Sequence, residues 1–224
     1  MTLAKPPTSL TNDIISTDNL LTDNLARNLK SYVQGSTPST LAMPDFRAAA
    51  VLVLLVQTPQ SWHVLFTVRS QHLPSHAGQI AFPGGKVEAG ESLEQAALRE
   101  CDEEVGLNLG ASAIWGRLGD QLSPFGYIVT PIVAACQADD TATFLTHLNC
   151  SDGEVDEVFC APLSDLLSLQ PKLETRSLNG LTRTLHYYHW SDRLIWGLTG
   201  NVLAELLEAV QQSVYRPAGL RTSH

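Results

Sequence analysis

The chain has 224 residues, 44% of them hydrophobic and 17% charged, with a formal net charge of −9. That length fits one generous domain with an appendage, or two small domains, and the apolar content supplies an ordinary core, which excludes a disordered or fibrous chain. The acidic balance argues against nucleic acid as the main partner, because binding its backbone needs clustered Lys and Arg, but a divalent metal can reverse the local field at an acidic site and admit a small anion.

In chain order, residues 1–17 are polar and Pro-containing and read as a loose tail. From Asp18 to Gln34, Leu21, Leu25, Leu29 and Val33 recur every four residues, predicting an amphipathic helix with Asp18 as N-cap and Gly35 just past its end. This helix could serve the interface of a homodimer. Gly35–Pro44 is a linker, so the organisation is a tail and helix over 1–43, a domain over 44–215 and a C-terminal tail over 216–224. The run AAAVLVLLV (Ala48–Val56) predicts a strand buried on both faces, and Trp62–Arg69 a second strand. Further strands are expected at Ala113–Leu118, Tyr127–Cys136, Glu154–Cys160 and Thr184–Trp190, with a turn at Ser123–Gly126. Pro162–Leu169 reads as a short helix. Thr199–Gln212 reads as a longer one, with Val202, Leu203, Leu206, Leu207 and Val210 on one face. Strands flanked by a few helices give an α/β or α+β domain.

Cys101, Cys136, Cys150 and Cys160 form no C-x-x-C pair, so they are read as small buried apolar residues rather than zinc ligands or a disulfide framework. The N-terminal MTLAKPPTSL lacks the apolar core of a signal peptide, and no run of about 18 apolar residues is present. A cytoplasmic protein with no membrane partner is expected.

The chemistry concentrates in Gly84–Leu107, GGKVEAGESLEQAALRECDEEVGL. Ser92 and Gln95 form a capping box that starts a helix at Leu93, and Gly106 ends it in the left-handed conformation. Leu93, Ala97, Cys101 and Val105 are its buried stripe. Glu100, Glu103 and Glu104 fall at i, i+3 and i+4, on one face and in the last two turns. There they repel one another and oppose the negative end of the helix dipole. A solvated acidic face is one account of them, and a bound cation is the other. Arg99 and Lys86 can neutralise only part of the cluster, and hard oxygen ligands point to Mg2+, with Mn2+ as the alternative.

Gly85, five residues, Glu91, seven residues, then Arg99-Glu100-Cys101-x-Glu103-Glu104-x-Gly106-Leu107 resembles the Nudix box, with Cys101 in place of its aliphatic residue. The resemblance implies the Nudix fold, a mixed β-sheet sandwiched between helices, and a metal-dependent pyrophosphohydrolase. It implies that Glu100, Glu103 and Glu104 bind the divalent ions beside the backbone of Gly85, that Arg99 orients the glutamates, and that Glu91 helps hold the loop. The general base would come from a later loop, where Asp152, Glu154, Asp156 and Glu157 are the candidates. The segment before the box, LFTVRSQHLPSHAGQIAFPGG (Leu65–Gly85), resembles coenzyme A pyrophosphatases of the same superfamily. It matches at Leu65, Thr67, Arg69, Ser70, His76, Gly78, Phe82, Pro83, Gly84 and Gly85, with Phe66 for the usual second leucine. Ser123-Pro124, Gly126-Tyr127, Val129-Thr130-Pro131 and Ile195–Thr199 extend the likeness, which spans roughly Arg47 to Val210. It implies hydrolysis of coenzyme A or its derivatives to 3′,5′-ADP and 4′-phosphopantetheine. Such a substrate brings a pyrophosphate to the metals and a 3′-phosphate that needs a cation. Arg69 suits a phosphate through its planar fork. His76 either bonds substrate or shapes the loop, and Gly84 and Gly85 let the backbone approach phosphate closely. The alternatives are a Nudix hydrolase of ADP-ribose or NADH and a Nudix-fold binding module without turnover, although such modules usually lose box glutamates.

Overall fold

The structure is a computed structural model that describes residues 23–178 and 181–215. The sheet is built on β1 (Arg47–Gln57), and the unbroken apolar run of this strand is explained by burial on both faces. Val53 and Leu55 point into one core, while Ala50, Leu52, Leu54 and Val56 point into the other. This is the period of two that a strand imposes. One edge of β1 pairs in parallel with β7 (Tyr127–Gln137) along its whole length. The other edge is shared. Leu55–Gln57 pair antiparallel with β2 (Trp62–Arg69), whereas Ala49–Val51 pair with β4 (Gly84–Lys86). β1 and β2 therefore splay, and β3 (Ile80–Ala81), held on β2, enters the fork together with β4. Leu52 N–H donates to Pro83 O inside the fork at 2.7 Å.

The outer edge of β7 is divided in the same way, between β5 (Ile114–Arg117) and β6 (Gln121–Ser123). Pro131 lies between those two pairings, where its missing donor breaks no ladder, and its carbonyl accepts from Leu118 N–H at 2.9 Å. β8 (Val155–Pro162) lines the outer edge of β2. A separate antiparallel sheet holds β9 (Lys172–Leu178), β10 (Leu181–Trp190) and β11 (Arg193–Ile195).

Helices close both faces of the main sheet. On one, α1 (Asp23–Gly35) inserts Leu25, Leu29 and Val33 into the core that also receives Val202, Leu203 and Leu206 from α5 (Gly197–Tyr215). On the other, α2 (Leu93–Val105) lays Ala96, Ala97, Cys101 and Val105 on β1. The short helices α3 (Thr141–Thr146) and α4 (Leu163–Ser168) cover the flanks. This is the expected mixed sheet between helices. The expected N-cap Asp18, Leu21 and both tails lie outside the described residues. The apolar residues Leu25, Leu29 and Val33 of α1 face the core of this chain. No described helix is long and apolar enough to cross a membrane. All four cysteines are free. Cys101 is fully buried and the other three partly so, and burial raises the thiols of Cys101 and Cys160 to about 12.

Candidate active site

The site begins with the two ends of α2. Ser92 Oγ accepts from Gln95 N–H and Gln95 Oε1 accepts from Ser92 N–H, closing the capping box. At the other end Gly106 takes φ 68° and its N–H donates to Asp102 O at 2.9 Å. With Cys101 and Val105 fixed against the sheet, the acidic face divides. Glu104 turns inward and is 7% exposed, Glu100 is half-buried, and the Glu103 side chain keeps 56% of its surface in solvent.

Arg99 joins these carboxylates to the preceding loop. Its Nε and Nη2 donate to the two oxygens of Glu91, at 2.9 and 3.1 Å. Its Nη1 donates to Glu100 Oε1 at 3.0 Å and Glu103 Oε2 at 2.8 Å, and Nη2 also reaches Lys86 O at 3.0 Å. Glu91 in turn accepts from Glu88 N–H, and the Arg99 bonds hold its carboxyl below the usual range. On β4, backbone crowding requires glycine at Gly84, and a side chain at Gly85 would displace the Glu100 carboxylate. A Cβ on Gly84 would stand 2.3 Å from Ala50 O, and one on Gly85 would stand 2.3 Å from Glu100 Oε1. Gly84 N–H donates to Glu104 Oε2 at 3.1 Å.

Burial raises Glu104 to about 7. The Gly84 bond opposes the rise, nearby Glu100 and Glu154 add to it, and Arg69 opposes it. Burial also raises Glu100 despite its bond to Arg99. Desolvated carboxylates pressed against a glycine backbone suit a hard cation. Among the described residues, no group of three or more His, Cys, Asp or Glu side chains is arranged to hold a metal ion. Glu100 and Glu104 with the Gly84–Gly85 backbone offer at most a partial set of oxygen ligands, which a hard divalent ion would complete with waters or substrate oxygens.

The box faces a cleft of about 1380 Å3 in the fork between β1 and β2. Glu100, Glu104, Gly84 and Gly85 form its floor, and Arg69 lines it from the end of β2. Arg69 Nε is buried with no protein acceptor among the described residues. His76, with φ 58°, bonds Gln79 Oε1 through Nδ1 at 2.7 Å and meets Phe125 edge-on at 4.8 Å. That contact joins the β2–β3 loop to the β6–β7 turn at the cleft. Glu103 does not line it. Of the four acidic candidates in the later loop, only Glu154 faces the cleft. Asp156 instead accepts from Gln71 N–H at 2.8 Å, and Glu157 forms a two-bond pair with Arg193 at 2.6 and 3.0 Å. Asp152 is exposed in the turn before β8. Trp196 borders the cleft while stacking on Tyr187, centroids 5.6 Å apart.

The sequence reading passed over Arg47, Arg176 and Arg183, all of which line the cleft. The Asn-Gly dipeptide at 179–180, between two alternating runs, is the strongest short-range hairpin signal and sets Arg176 opposite Arg183 by simple counting. Arg47, stacked over the Tyr127 ring at 4.4 Å, carried no comparable signal.

Comparison with known proteins places these features among relatives. The family model described as NUDIX domain matches residues 46–183. Nudix hydrolase 3 of Caenorhabditis elegans is 31% identical over 210 residues, covering 87% of this chain and 86% of that protein. An uncharacterized Nudix hydrolase, NudL, of Photorhabdus laumondii is 37% identical over 168 residues, covering 74% of this chain and 86% of its own. Among solved structures, a MutT/nudix family protein from Enterococcus faecalis superposes with a TM-score of 0.52 at 21% identity, covering 86% of this chain and 70% of that one.

Proposed function

The chain belongs to the NUDIX domain family, and from that premise we propose that it is a divalent-metal-dependent pyrophosphohydrolase of coenzyme A or its derivatives, releasing 3′,5′-ADP and 4′-phosphopantetheine. The observation that carries the reaction class is the desolvated Glu100–Glu104 pair against the Gly84–Gly85 backbone, with Arg99 tying Glu100 and Glu103 to Glu91. Coenzyme A is favoured by the sequence pattern around Arg69 and His76 and by a cleft with both cationic and apolar walls.

In this reading Glu100, Glu103 and Glu104, with the Gly85 backbone, hold Mg2+, or Mn2+ in its place. When bound, the ion would supply positive charge at the anhydride and make a water more acidic. Arg99 keeps the carboxylates aimed, and Gly84 N–H fixes one oxygen of Glu104. Glu154, the one acidic candidate of the later loop that lines the cleft, would take the proton of the attacking water. A bond forms from that water oxygen to phosphorus, the bridging P–O bond breaks, and one phosphate ester leaves with the electron pair. Arg69 neutralises charge on the anhydride, and His76 steadies the loop beside it. The protein contributes position and electrostatics.

The test is chromatography of the products after incubation with Mg2+ and coenzyme A, with ADP-ribose and NADH in parallel. Expected are 3′,5′-ADP and phosphopantetheine, formed faster than either parallel product and lost on chelation. Cleavage of ADP-ribose or NADH with coenzyme A intact would keep the reaction and remove the substrate. No cleavage with either metal would leave a binding module.

A further inference from the structure

Five of the chain's 14 Lys and Arg line the one cleft: Arg47, Arg69, Lys86, Arg176 and Arg183. Glu88, Glu100, Glu104 and Glu154 line it as well, so the cations matter by where they stand and not by a net charge, and those away from the glutamates can hold an anion of their own. Their surroundings separate them. Arg47 is stacked on Tyr127, and Lys86 is exposed beside the box. Arg69 lines the cleft from the end of β2, and its charge opposes the rise of the Glu104 carboxyl, so we assign it to the glutamate end.

Arg176 and Arg183 remain, and their placement is unusual. They are direct cross-strand partners in the β9–β10 ladder, with side chains on one face. Like charges directly opposite destabilise a hairpin, so stability alone does not account for the pair. Glu174 accepts from Arg176 Nε only, at 2.9 Å, and Arg183 donates to Leu122 O with no carboxylate partner among the described residues. The Leu122 bond locates the pair, because Leu122 lies on β6. Gly84 is level with Val51 and Pro131 whereas Leu122 is level with Ile128, so three strand spacings and three residues along the strand, about 17 Å in all, separate the glutamate end from this one. A nucleoside 3′,5′-bisphosphate spans a gap of that order with a cation at one phosphate and a guanidinium at the other.

We propose that Arg176 and Arg183 form a second anion subsite that takes a phosphate monoester carried by the substrate away from the bond that is cut. This rests on the proposed function for the identity of that group, the 3′-phosphate of the adenosine half. Paired planar guanidiniums suit a dianionic phosphate, which accepts several bonds at once.

The test is calorimetric binding of 3′,5′-ADP and 5′-AMP, with Mg2+, to the full chain and to R176Q/R183Q. The wild type is expected to prefer 3′,5′-ADP by about tenfold or more, and the double variant to bind the two with similar affinity. R176K/R183K, which keeps the charge but not the fork, is expected to fall between them. Equal binding of both nucleotides by the wild type, or an undiminished preference in R176Q/R183Q, overturns the subsite. Turnover separates this from the reading beneath it. A pair-dependent preference in a protein that leaves coenzyme A intact keeps the subsite and removes the substrate, whereas coenzyme A cleavage without any preference does the reverse.

Discussion

Arg99 serves three carboxylates and a carbonyl with one planar group, and a lysine has no fork with which to repeat this. R99K is therefore expected to lower kcat about tenfold or more and to raise the Mg2+ concentration needed for half-maximal rate, both read from steady-state assays. Gly85→Ala aims at the same geometry from the other side. Its Cβ would occupy the place of Glu100 Oε1, so the carboxylate must move while the fold stays intact. Expected are a native circular dichroism spectrum and a kcat reduced by about tenfold or more; wild-type activity in this variant would remove Glu100 from the proposed metal site. Glu103 and Glu104 differ in burial but not in expected consequence, and Gln at either should abolish turnover in a folded protein. The Nudix box was legible because its signal is local, a spacing within one loop and one helix. The order of burial was carried by the apolar stripe and not by the glutamates themselves, because Glu104 stands three residues beyond Cys101, next to the stripe, and Glu103 falls on the opposite side. The cation wall was passed over for another reason: counting from Asn-Gly pairs Arg176 with Arg183, but nothing local says that this hairpin reaches the box.

The elements that the sequence showed well are the long ones. β1, β2, β7, α2 and α5 have enough residues to display a period or a cap, and each lies where the pattern placed it within a few residues. β3, β4, β6 and β11 have two or three residues each, too few for any alternation, and their pairing partners supply what their own sequences lack. Two of them, β3 and β4, occupy the fork that makes the cleft. α2 allows a direct test of local design. Ser92→Ala removes one half of the capping box and should destabilise the protein by about 1 kcal/mol in urea unfolding, with little change in kcat. Gly106→Ala should be worse, because φ 68° strains any Cβ and the added atom would stand 2.9 Å from Asn149 Cβ. It loosens the end of the helix that carries Glu103 and Glu104, so a loss of Mg2+ response should accompany the loss of stability.

At the scale of the molecule, helices close both faces of the main sheet, and α1 belongs to the packing although it precedes the residues matched by the family. Leu29 is fully buried between α5 and the sheet, and Leu29→Ala should destabilise by about 2–5 kcal/mol. A near-neutral result would show α1 to be dispensable. The buried Glu104 couples stability to pH. Its carboxyl titrates near 7 when folded and near its ordinary 4.5 when unfolded. Between those values the folded state keeps a proton that the unfolded chain has lost, so stability falls as pH rises through the window, by up to about 3 kcal/mol. Thermal melts in chelator should show this slope, E104Q should flatten it, and Mg2+ should raise the melting temperature above pH 7. The two ends of the cleft also differ in how far the chain must travel to make them. Gly84 meets Glu104 across 20 residues, and Arg99 meets Glu91 across 8, whereas Arg183 reaches Leu122 across 61. Closing short loops precedes closing long ones. On the proposed assignments, the end that takes the cation is set by neighbours in sequence, and the end that tells one nucleotide from another by residues far apart in it.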